Sequence, residues 1–257
     1  MSSDRSASER RGAARTAVVW DALHPVLDNA GTTDPQGRDV LDIGGGTGGF
    51  AVRVAELGHR VVVVDPSPDA LAALGRRAQE RGVPDRVTGH QGDASSLLDV
   101  VEPGSADVVL CHGVLEYVDD PIAALGSIAE VLRPGGTLSL LVGQRHAAVI
   151  ARAMAGHFQQ ARALLDDDSA ATSVGASIGG RGTGRRFTRD ELVALLPAAG
   201  FTIATIHGVR VFADLVPGSL LDLEPGAAAA LVDLEQAVAE REEYLPLATQ
   251  LHVIAHR

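Results

Sequence analysis

Five glycines lie within one short segment of the chain, residues 42–49 (DIGGGTGG), at the end of an apolar run. Glycine has no Cβ, so it allows tight backbone turns and lets a ligand approach the main chain. In open α/β sheets, ligands bind at the carboxyl end of the first strand, where this loop is predicted to lie. Gly44, Gly46 and Gly49 also fit the GxGxxG spacing of dinucleotide-binding loops, so the glycines alone do not identify the ligand.

Three aspartates lie near the ends of the first three predicted strands. Asp65 ends the second strand, where a carboxylate accepts hydrogen bonds from ribose hydroxyls. Asp42, two positions before the glycines, would accept a hydrogen bond from an ammonium group or orient the loop. Asp93 follows the third strand, next to Ala94, and would accept a hydrogen bond from an adenine amino group. Each aspartate also has a structural alternative, for example as a turn or cap residue.

Alternating strands and helices over residues 38–143 must position these residues, and they predict a doubly wound α/β sheet with right-handed crossovers. Serine or aspartate followed by proline opens two of the helices, because the first residue caps and the proline fits the first helical position. The predicted strands are 39–43, 60–65, 86–90, 106–111 and 137–142, and the helices between them end near residues 57, 81 and 132.

The periodicity weakens beyond residue 143. Pro25 should kink or split a first helix predicted over residues 13–29, and residues 1–11 have the composition of a disordered segment. One domain over residues 1–257, with an insertion at 144–187, is the simplest organisation. Its later elements are a helical stretch at 144–164, a mobile loop at 166–186, a helix at 189–198, a strand near 201–209, a helix near 226–242 and a strand at 250–256.

Composition excludes several classes of protein. The 257 residues are 46% hydrophobic with a net charge of −11, which excludes a disordered chain and a uniformly basic nucleic-acid binder. Cys111 is the only cysteine, so neither a disulfide framework nor a cysteine-based zinc site is expected. No metal site is expected. The polar N-terminus and the lack of an 18-residue apolar run predict a cytoplasmic protein without a membrane span.

The glycine loop, the three aspartates and residues 132–136 (LRPGG), in this order and spacing, resemble the class I S-adenosylmethionine (SAM) methyltransferases. The resemblance covers about residues 38–143 and implies a Rossmann-like fold and SAM as cofactor. It implies that Asp65 holds the ribose and that Asp93 and Ala94 lie at the adenine. The methionine part would lie against Asp42, Gly44, Gly45 and Gly46.

Four further segments resemble the bacterial tRNA uridine-5-oxyacetic acid methyltransferases, which esterify a carboxylate on a wobble uridine. These segments are residues 11–15 (RGAAR) leading to Trp20, residues 111–121 (CHGVLEYVDDP), residues 208–212 (GVRVF) and the tail 234–253. The resemblance implies that Arg15 and His112 line the cofactor pocket and that Arg210 lies on the acceptor side. The chain departs from the family at residues 166–168 (DDD) and 143–145 (GQR), both in the acceptor-facing region.

The residues themselves leave several roles open. His112, just past the fourth strand, is a hydrogen-bonding wall of the pocket, a general base or a core residue. Arg210 stands in an apolar stretch, where an unpaired charge is costly, so it should meet either a protein carboxylate or a ligand carboxylate. Tyr117 either stacks on a base or packs. Cys111 is expected to be an inert small apolar residue.

Arginines are concentrated in residues 133–189. This segment contains eight arginines and three aspartates, which gives it a net charge of +5 in an otherwise acidic chain. Such a segment would suit local binding of tRNA phosphates, although a solvated loop is an equal alternative.

The sequence therefore predicts a SAM-dependent methyltransferase with an N-terminal helical cap, and a tRNA wobble-uridine carboxylate is the favoured acceptor. The alternative is an O- or N-methyltransferase of a small metabolite, in which His112 or Tyr117 would deprotonate a hydroxyl. From other classes, an NAD-dependent oxidoreductase and a non-catalytic SAM-binding regulator remain.

Overall fold

The computed structural model describes residues 16–28, 37–165, 184–222 and 225–257. Seven strands form one sheet in the order β3-β2-β1-β4-β5-β7-β6. The strands are β1 (Asp39–Ile43), β2 (Arg60–Asp65), β3 (Val87–Gln91), β4 (Ala106–His112), β5 (Leu132–Gly143), β6 (Thr202–Val209) and β7 (Gln250–His256).

Strands β1 to β5 run parallel, and β7 runs antiparallel to both of its neighbours, β5 and β6. The chain moves outward from β1 through β2 to β3, and then returns to place β4 on the other side of β1. The carboxyl ends of β1 and β4 therefore adjoin at the point where the strand order reverses. Ligands bind at this point in doubly wound sheets, and the prediction of such a sheet is confirmed.

Helices cover both faces of this sheet. The described helices are α1 (residues 16–27), α2 (Ala51–Glu56), α3 (Pro68–Glu80), α4 (Leu97–Val100), α5 (Pro121–Val131), α6 (Arg145–Met154), α7 (Phe158–Leu165), α8 (Arg189–Ala198) and α9 (Ala227–Val238).

The caps predicted from the sequence begin two of these helices. Ser67 Oγ accepts a hydrogen bond from the Ala70 amide at the start of α3. Asp120 Oδ1 accepts hydrogen bonds from the Ile122 and Ala123 amides, each over 3.0 Å, at the start of α5. These bonds satisfy amides that have no partner within the first helical turn.

Apolar side chains from the helices bury the sheet between two layers. On one face, Leu125 and Ile128 of α5 and Leu192 of α8 pack on the central strands. On the other face, Leu23 of α1 and Leu74 of α3 do the same. This packing holds the carboxyl edge of the sheet, and thus the glycine loop, in a defined position.

The structure refines two predictions about helices and corrects one strand boundary. Pro25 does not split α1, which continues to residue 27, because a proline in the last turn removes few helical hydrogen bonds. The stretch 144–164 forms two helices, since Gly156, with φ of +78°, interrupts it. Strand β5 begins at Leu132, five residues early, with an irregular register where it pairs with Ala106 and Val108.

Some predictions fall on residues that are not described: the disordered segment 1–11, Arg15, Arg181, the three aspartates 166–168 and most of the mobile loop 166–186. Within the described ranges, no helix is long and apolar enough to cross a membrane.

Candidate active site

The glycine loop between β1 and α2 is shaped by backbone conformations that side chains rarely adopt. Gly44, Gly46 and Gly48 have φ of +67°, +56° and +81°. A Cβ on Gly45 would lie 2.5 Å from Asp42 Oδ2, so only glycine leaves space for that carboxylate. The loop therefore lies directly against Asp42, with its backbone open to a ligand.

Asp65 is held at the end of β2 by two backbone amides. Gly46 N donates to its Oδ2 and Ser67 N donates to its Oδ1, each over 2.9 Å. The side chain is buried. A carboxylate fixed in this way is oriented in advance for a pair of hydroxyl donors.

Asp42 is almost completely buried and lines a cavity next to the glycine loop. Burial, together with the negative charge of Asp65, raises the pKa of the Asp42 carboxyl to about 7, although a hydrogen bond from the Ala51 amide opposes this. A positively charged ligand group next to Asp42 would favour its ionised form.

Asp93 is exposed and caps the short helical turn that follows β3. Its Oδ1 accepts hydrogen bonds from the amides of Ser95 and Ser96 and from the Ser96 hydroxyl. The structural alternative for Asp93 is thus present, and all three bonds use one oxygen. Ala94 is buried beside it.

A cavity of about 290 Å³ opens at the point where the strand order reverses. Asp42, Gly44, Gly45 and His112, which were predicted to lie together, line it. Gly46, Asp65, Asp93 and Ala94, which were predicted for the same site, are not among its lining residues. Thr16, Gly49, Phe50 and Arg53 also line it, and these four were not predicted. The only feature of the sequence that could have indicated Thr16 is its position next to Arg15, which was predicted to line the cofactor pocket.

His112 is half-buried on the wall of this cavity. Its Nε2 lies 2.9 Å from Ser139 Oγ, and its ring meets Phe50 edge to face at 5.0 Å between centroids. Two of the predicted roles, wall and satisfied core residue, are therefore combined in one side chain.

The segment 184–189 packs against the carboxyl end of β5, a contact that was not predicted from the sequence. Phe187 N donates to Gly143 O over 2.9 Å, and Arg185 N donates to Glu116 O over 2.8 Å. Arg186 lies over Gly143 so closely that a Cβ there would be 2.3 Å from Nη1. Neither Arg185 nor Arg186 forms an ion pair with any described residue, whereas Arg189 is bound by Glu242 over 2.9 Å.

Arg210 follows β6 and meets a protein carboxylate, one of its two predicted partners. Its Nη2 donates to Asp214 Oδ1 over 2.5 Å. Thr249 Oγ1 donates to the other Asp214 oxygen over 2.7 Å. The Arg210 Nε is buried without a partner among the described residues. Its φ of +60° is the only positive value at a non-glycine residue in the described chain.

Glu235 of α9 stabilises the backbone next to Arg210. This fully buried carboxylate accepts hydrogen bonds from the amides of Val211, Phe212 and Ala213 over 2.7–2.9 Å. The unusual Arg210 backbone is thus fixed from the neighbouring helix.

Two other candidates differ in environment. Tyr117 is 71% exposed, so it does not pack in the core.

Cys111 is fully buried. Burial, together with Glu116 and Asp42, raises the pKa of its thiol to about 12. The thiol is therefore not a nucleophile at neutral pH. No cluster of metal-binding side chains occurs among the residues that the structure describes.

Comparison with known proteins adds sequence relatives. A family profile described as a methyltransferase domain matches residues 41–138. The tRNA 5-carboxymethoxyuridine methyltransferase of Escherichia coli K12 is 31% identical over 249 residues, which is 96% of this chain and 89% of that protein. A ubiquinone biosynthesis O-methyltransferase of Xanthomonas campestris is 35% identical over 145 residues, 56% of this chain and 59% of that protein.

A solved structure has the same fold. The SAM-dependent methyltransferase of Mesorhizobium loti aligns with a TM-score of 0.58 at 20% identity, over 93% of this chain and 98% of that one. The family of the chain is shown by the near full-length similarity to the Escherichia coli protein, and the sheet order and the cavity at the glycine loop agree with it. The chain belongs to the class I SAM-dependent methyltransferases, in the family of the bacterial tRNA 5-carboxymethoxyuridine methyltransferases.

Proposed function

We propose that the chain transfers the methyl group of SAM to the carboxylate of a modified wobble uridine in tRNA. SAM supplies a methyl group activated by a positively charged sulfur. The carboxylate oxygen forms the new bond to carbon as the carbon–sulfur bond breaks, and the electron pair of that bond stays on sulfur. The acceptor is ionised at neutral pH, so no proton has to move.

Three carboxylates near the ends of β1, β2 and β3 would orient the cofactor. Asp65, held by the Gly46 and Ser67 amides, would accept the ribose hydroxyls. Asp42 would lie near the positively charged methionine part, since a cation favours its ionised form. Asp93 would use Oδ2 toward the adenine, because its three cap bonds use Oδ1. Arg15, which precedes the cavity residue Thr16, would complete this wall.

The observation that supports an anionic acceptor is the position of Arg186 and Arg210 at the same end of the sheet. Gly143, Gln250 and Val209 form one row across β5, β7 and β6. Arg186 lies over Gly143, and Arg210 directly follows Val209. A guanidinium presents two parallel donors that match a carboxylate. The strained Arg210 backbone also suits a binding role.

The tRNA part of the proposal is supported by the extent of the similarity. The match to the Escherichia coli relative spans 96% of this chain, including the elements outside the cofactor core. The arginines of the 184–189 segment, next to the end of β5, would contact phosphate.

A small metabolite with a hydroxyl acceptor is the second candidate, favoured by the similarity to ubiquinone O-methyltransferases over 56% of the chain. That reaction needs a base, for which His112 or Tyr117 would serve.

Incubation of the protein with methyl-labelled SAM and either total tRNA or a small-metabolite extract tests the proposal. We expect label in material that ribonuclease degrades. Label only in the metabolite extract would overturn the tRNA assignment, and tight SAM binding without transfer to either pool would favour a non-catalytic regulator.

A further inference from the structure

Arg53 of α2 is the only residue with a permanent positive charge among the described residues that line the cavity at the glycine loop. It is exposed, and it forms no ion pair with any described residue. Asp42 supplies a carboxylate to the same lining. The cavity therefore has one side chain of each charge on its walls.

Trp20 of α1 holds the Arg53 guanidinium at this cavity. The Arg53 Cζ lies 4.2 Å from the centroid of the Trp20 ring. A cation over the face of a tryptophan is attracted by the negative charge of that face. Trp20 also packs on Phe50, another lining residue, with 6.0 Å between the ring centroids. The guanidinium is thus positioned by an aromatic ring and not by a carboxylate.

The contact with Trp20 leaves the donors of Arg53 available to a ligand. The N–H groups of a guanidinium lie in its plane and form a fork that matches the two oxygens of a carboxylate. The methionine part of SAM carries a carboxylate and an ammonium group on the same carbon atom. A ligand of this kind needs a cation and an anion on neighbouring walls of its site, and Arg53 and Asp42 meet this need.

We propose that Arg53, positioned by Trp20, binds the carboxylate of the methionine part of SAM. Arg53 is a binding residue for the cofactor, and Trp20 is a positioning residue that acts through it. The N-terminal helix α1 therefore contributes to cofactor binding through the Trp20 ring. This assignment rests on the proposed orientation of SAM along the glycine loop, and it is independent of the methyl acceptor.

Decarboxylated SAM tests the assignment, because it keeps the adenine, ribose, sulfonium and ammonium groups and lacks only the carboxylate. Calorimetric titration of the full chain gives the affinity for each ligand. Arg53→Ala should weaken SAM binding by about tenfold, as expected for a partly screened charged hydrogen bond. The same variant should bind decarboxylated SAM as well as the wild type does. Equal losses for the two ligands would overturn the proposal.

Arg76→Ala is the matched control. Arg76 is an exposed arginine of α3 that does not line the cavity, so its replacement removes the same charge from the chain. Both affinities should stay at the wild-type values. A loss of SAM affinity in Arg76→Ala as large as that in Arg53→Ala would reduce the effect to net charge and overturn the specific contact.

Trp20→Leu tests the positioning role, since leucine keeps an apolar side chain and removes the aromatic face. SAM affinity should fall by about two- to fivefold, the range for an exposed cation–π contact, with no loss for decarboxylated SAM. Trp20 is the only tryptophan of the chain, so its fluorescence in the wild type also reports on Arg53. SAM should change this emission more than decarboxylated SAM does, and the difference should disappear in Arg53→Ala.

The outcomes separate this assignment from the pocket as a whole. Normal SAM affinity of Arg53→Ala, together with a loss in Asp65→Ala, would overturn the role of Arg53 alone. Normal affinity of both variants would refute the proposed orientation of the cofactor. If Trp20→Leu does not fold, the comparison of the two ligands with Arg53→Ala decides the question without it.

Discussion

Asp65 and Gly46 are joined by a hydrogen bond of 2.9 Å, in which the glycine amide donates to the carboxylate at the end of the neighbouring strand. This bond fixes the glycine loop to β2, and the Ser67 amide holds the second carboxylate oxygen. The carboxylate and the loop are therefore held together, and the proposed ribose and methionine contacts depend on each other.

Asp65→Ala should weaken SAM binding, because the ribose hydroxyls lose a charged acceptor. A hydrogen bond to a charged group contributes about 1.5–3 kcal/mol, equivalent to roughly 10- to 150-fold in Kd. Calorimetric titration with SAM measures this loss. Asp69→Ala, an exposed aspartate in the first turn of α3, is the control and should bind SAM normally. Equal affinity of Asp65→Ala and wild type would refute the assigned pocket.

SAM affinity should depend on pH through Asp42. Its pKa of about 7 means that it is mostly protonated at pH 6, whereas the cationic methionine part favours the carboxylate. Affinity should rise from pH 6 to pH 8, by up to about tenfold per unit below the pKa. Asp42→Asn should bind SAM weakly at every pH, with a flatter profile. Identical pH profiles for the two proteins would place the cation elsewhere.

The same raised pKa predicts that, without ligand, the free energy of unfolding changes with pH in the opposite direction to the SAM affinity. Between the ordinary carboxyl pKa of about 4 and the folded value of about 7, the folded state binds more protons than the unfolded state. The Asp42 contribution to the free energy of unfolding is therefore lost as pH rises through this window. Asp42→Asn should melt above the wild type at pH 8, as measured by thermal denaturation. A lower melting temperature of the variant at that pH would show that the buried charge of Asp42 does not destabilise the folded protein.

Arg185 and Arg186 should contact tRNA phosphate. Replacing both with alanine should weaken tRNA binding and reduce the slope of log affinity against log salt by up to about two. Arg189→Ala is the comparison, because Glu242 already binds Arg189 and less is lost. Filter binding at several salt concentrations gives the slopes. An unaltered slope for the double variant, with normal SAM affinity, would favour a small-molecule acceptor.

Arg210→Lys separates a carboxylate-binding role from a purely structural one. Lysine keeps the charge next to Asp214 and has the same backbone preference at φ of +60°, but it loses the planar fork. Methyl transfer should fall by about tenfold or more, as expected for a lost charged hydrogen bond, with SAM affinity near wild type. Full activity, or a large drop in melting temperature, would leave Arg210 as half of a structural ion pair.

The fold was largely predictable because its signals are local. Helix α8 and strand β7 begin and end at the predicted residues, and Ser67 and Asp120 cap helices as expected. The glycine loop and His112 could be assigned to one cavity because parallel strands bring their carboxyl ends to a common edge.

The contacts that refine the site join residues far apart in the chain, where periodicity carries no information. Ser139 bridges His112 and His252 across three strands, and Arg186 lies over Gly143, 43 positions earlier in the chain. The Asp214 partner of Arg210 is only four residues away, yet its placement depends on the Arg210 backbone and the Glu235 clamp.

The chemical nature of the transferred label shows whether the acceptor is a carboxylate of tRNA. tRNA methylated with labelled SAM can be digested to nucleosides and treated with mild alkali, which hydrolyses methyl esters but leaves N-, C- and ether-linked methyl groups in place. We expect label on one modified uridine, from which alkali releases it as methanol. Label that resists alkali, or label found only outside the tRNA, would contradict a carboxylate methyltransferase acting on the wobble position.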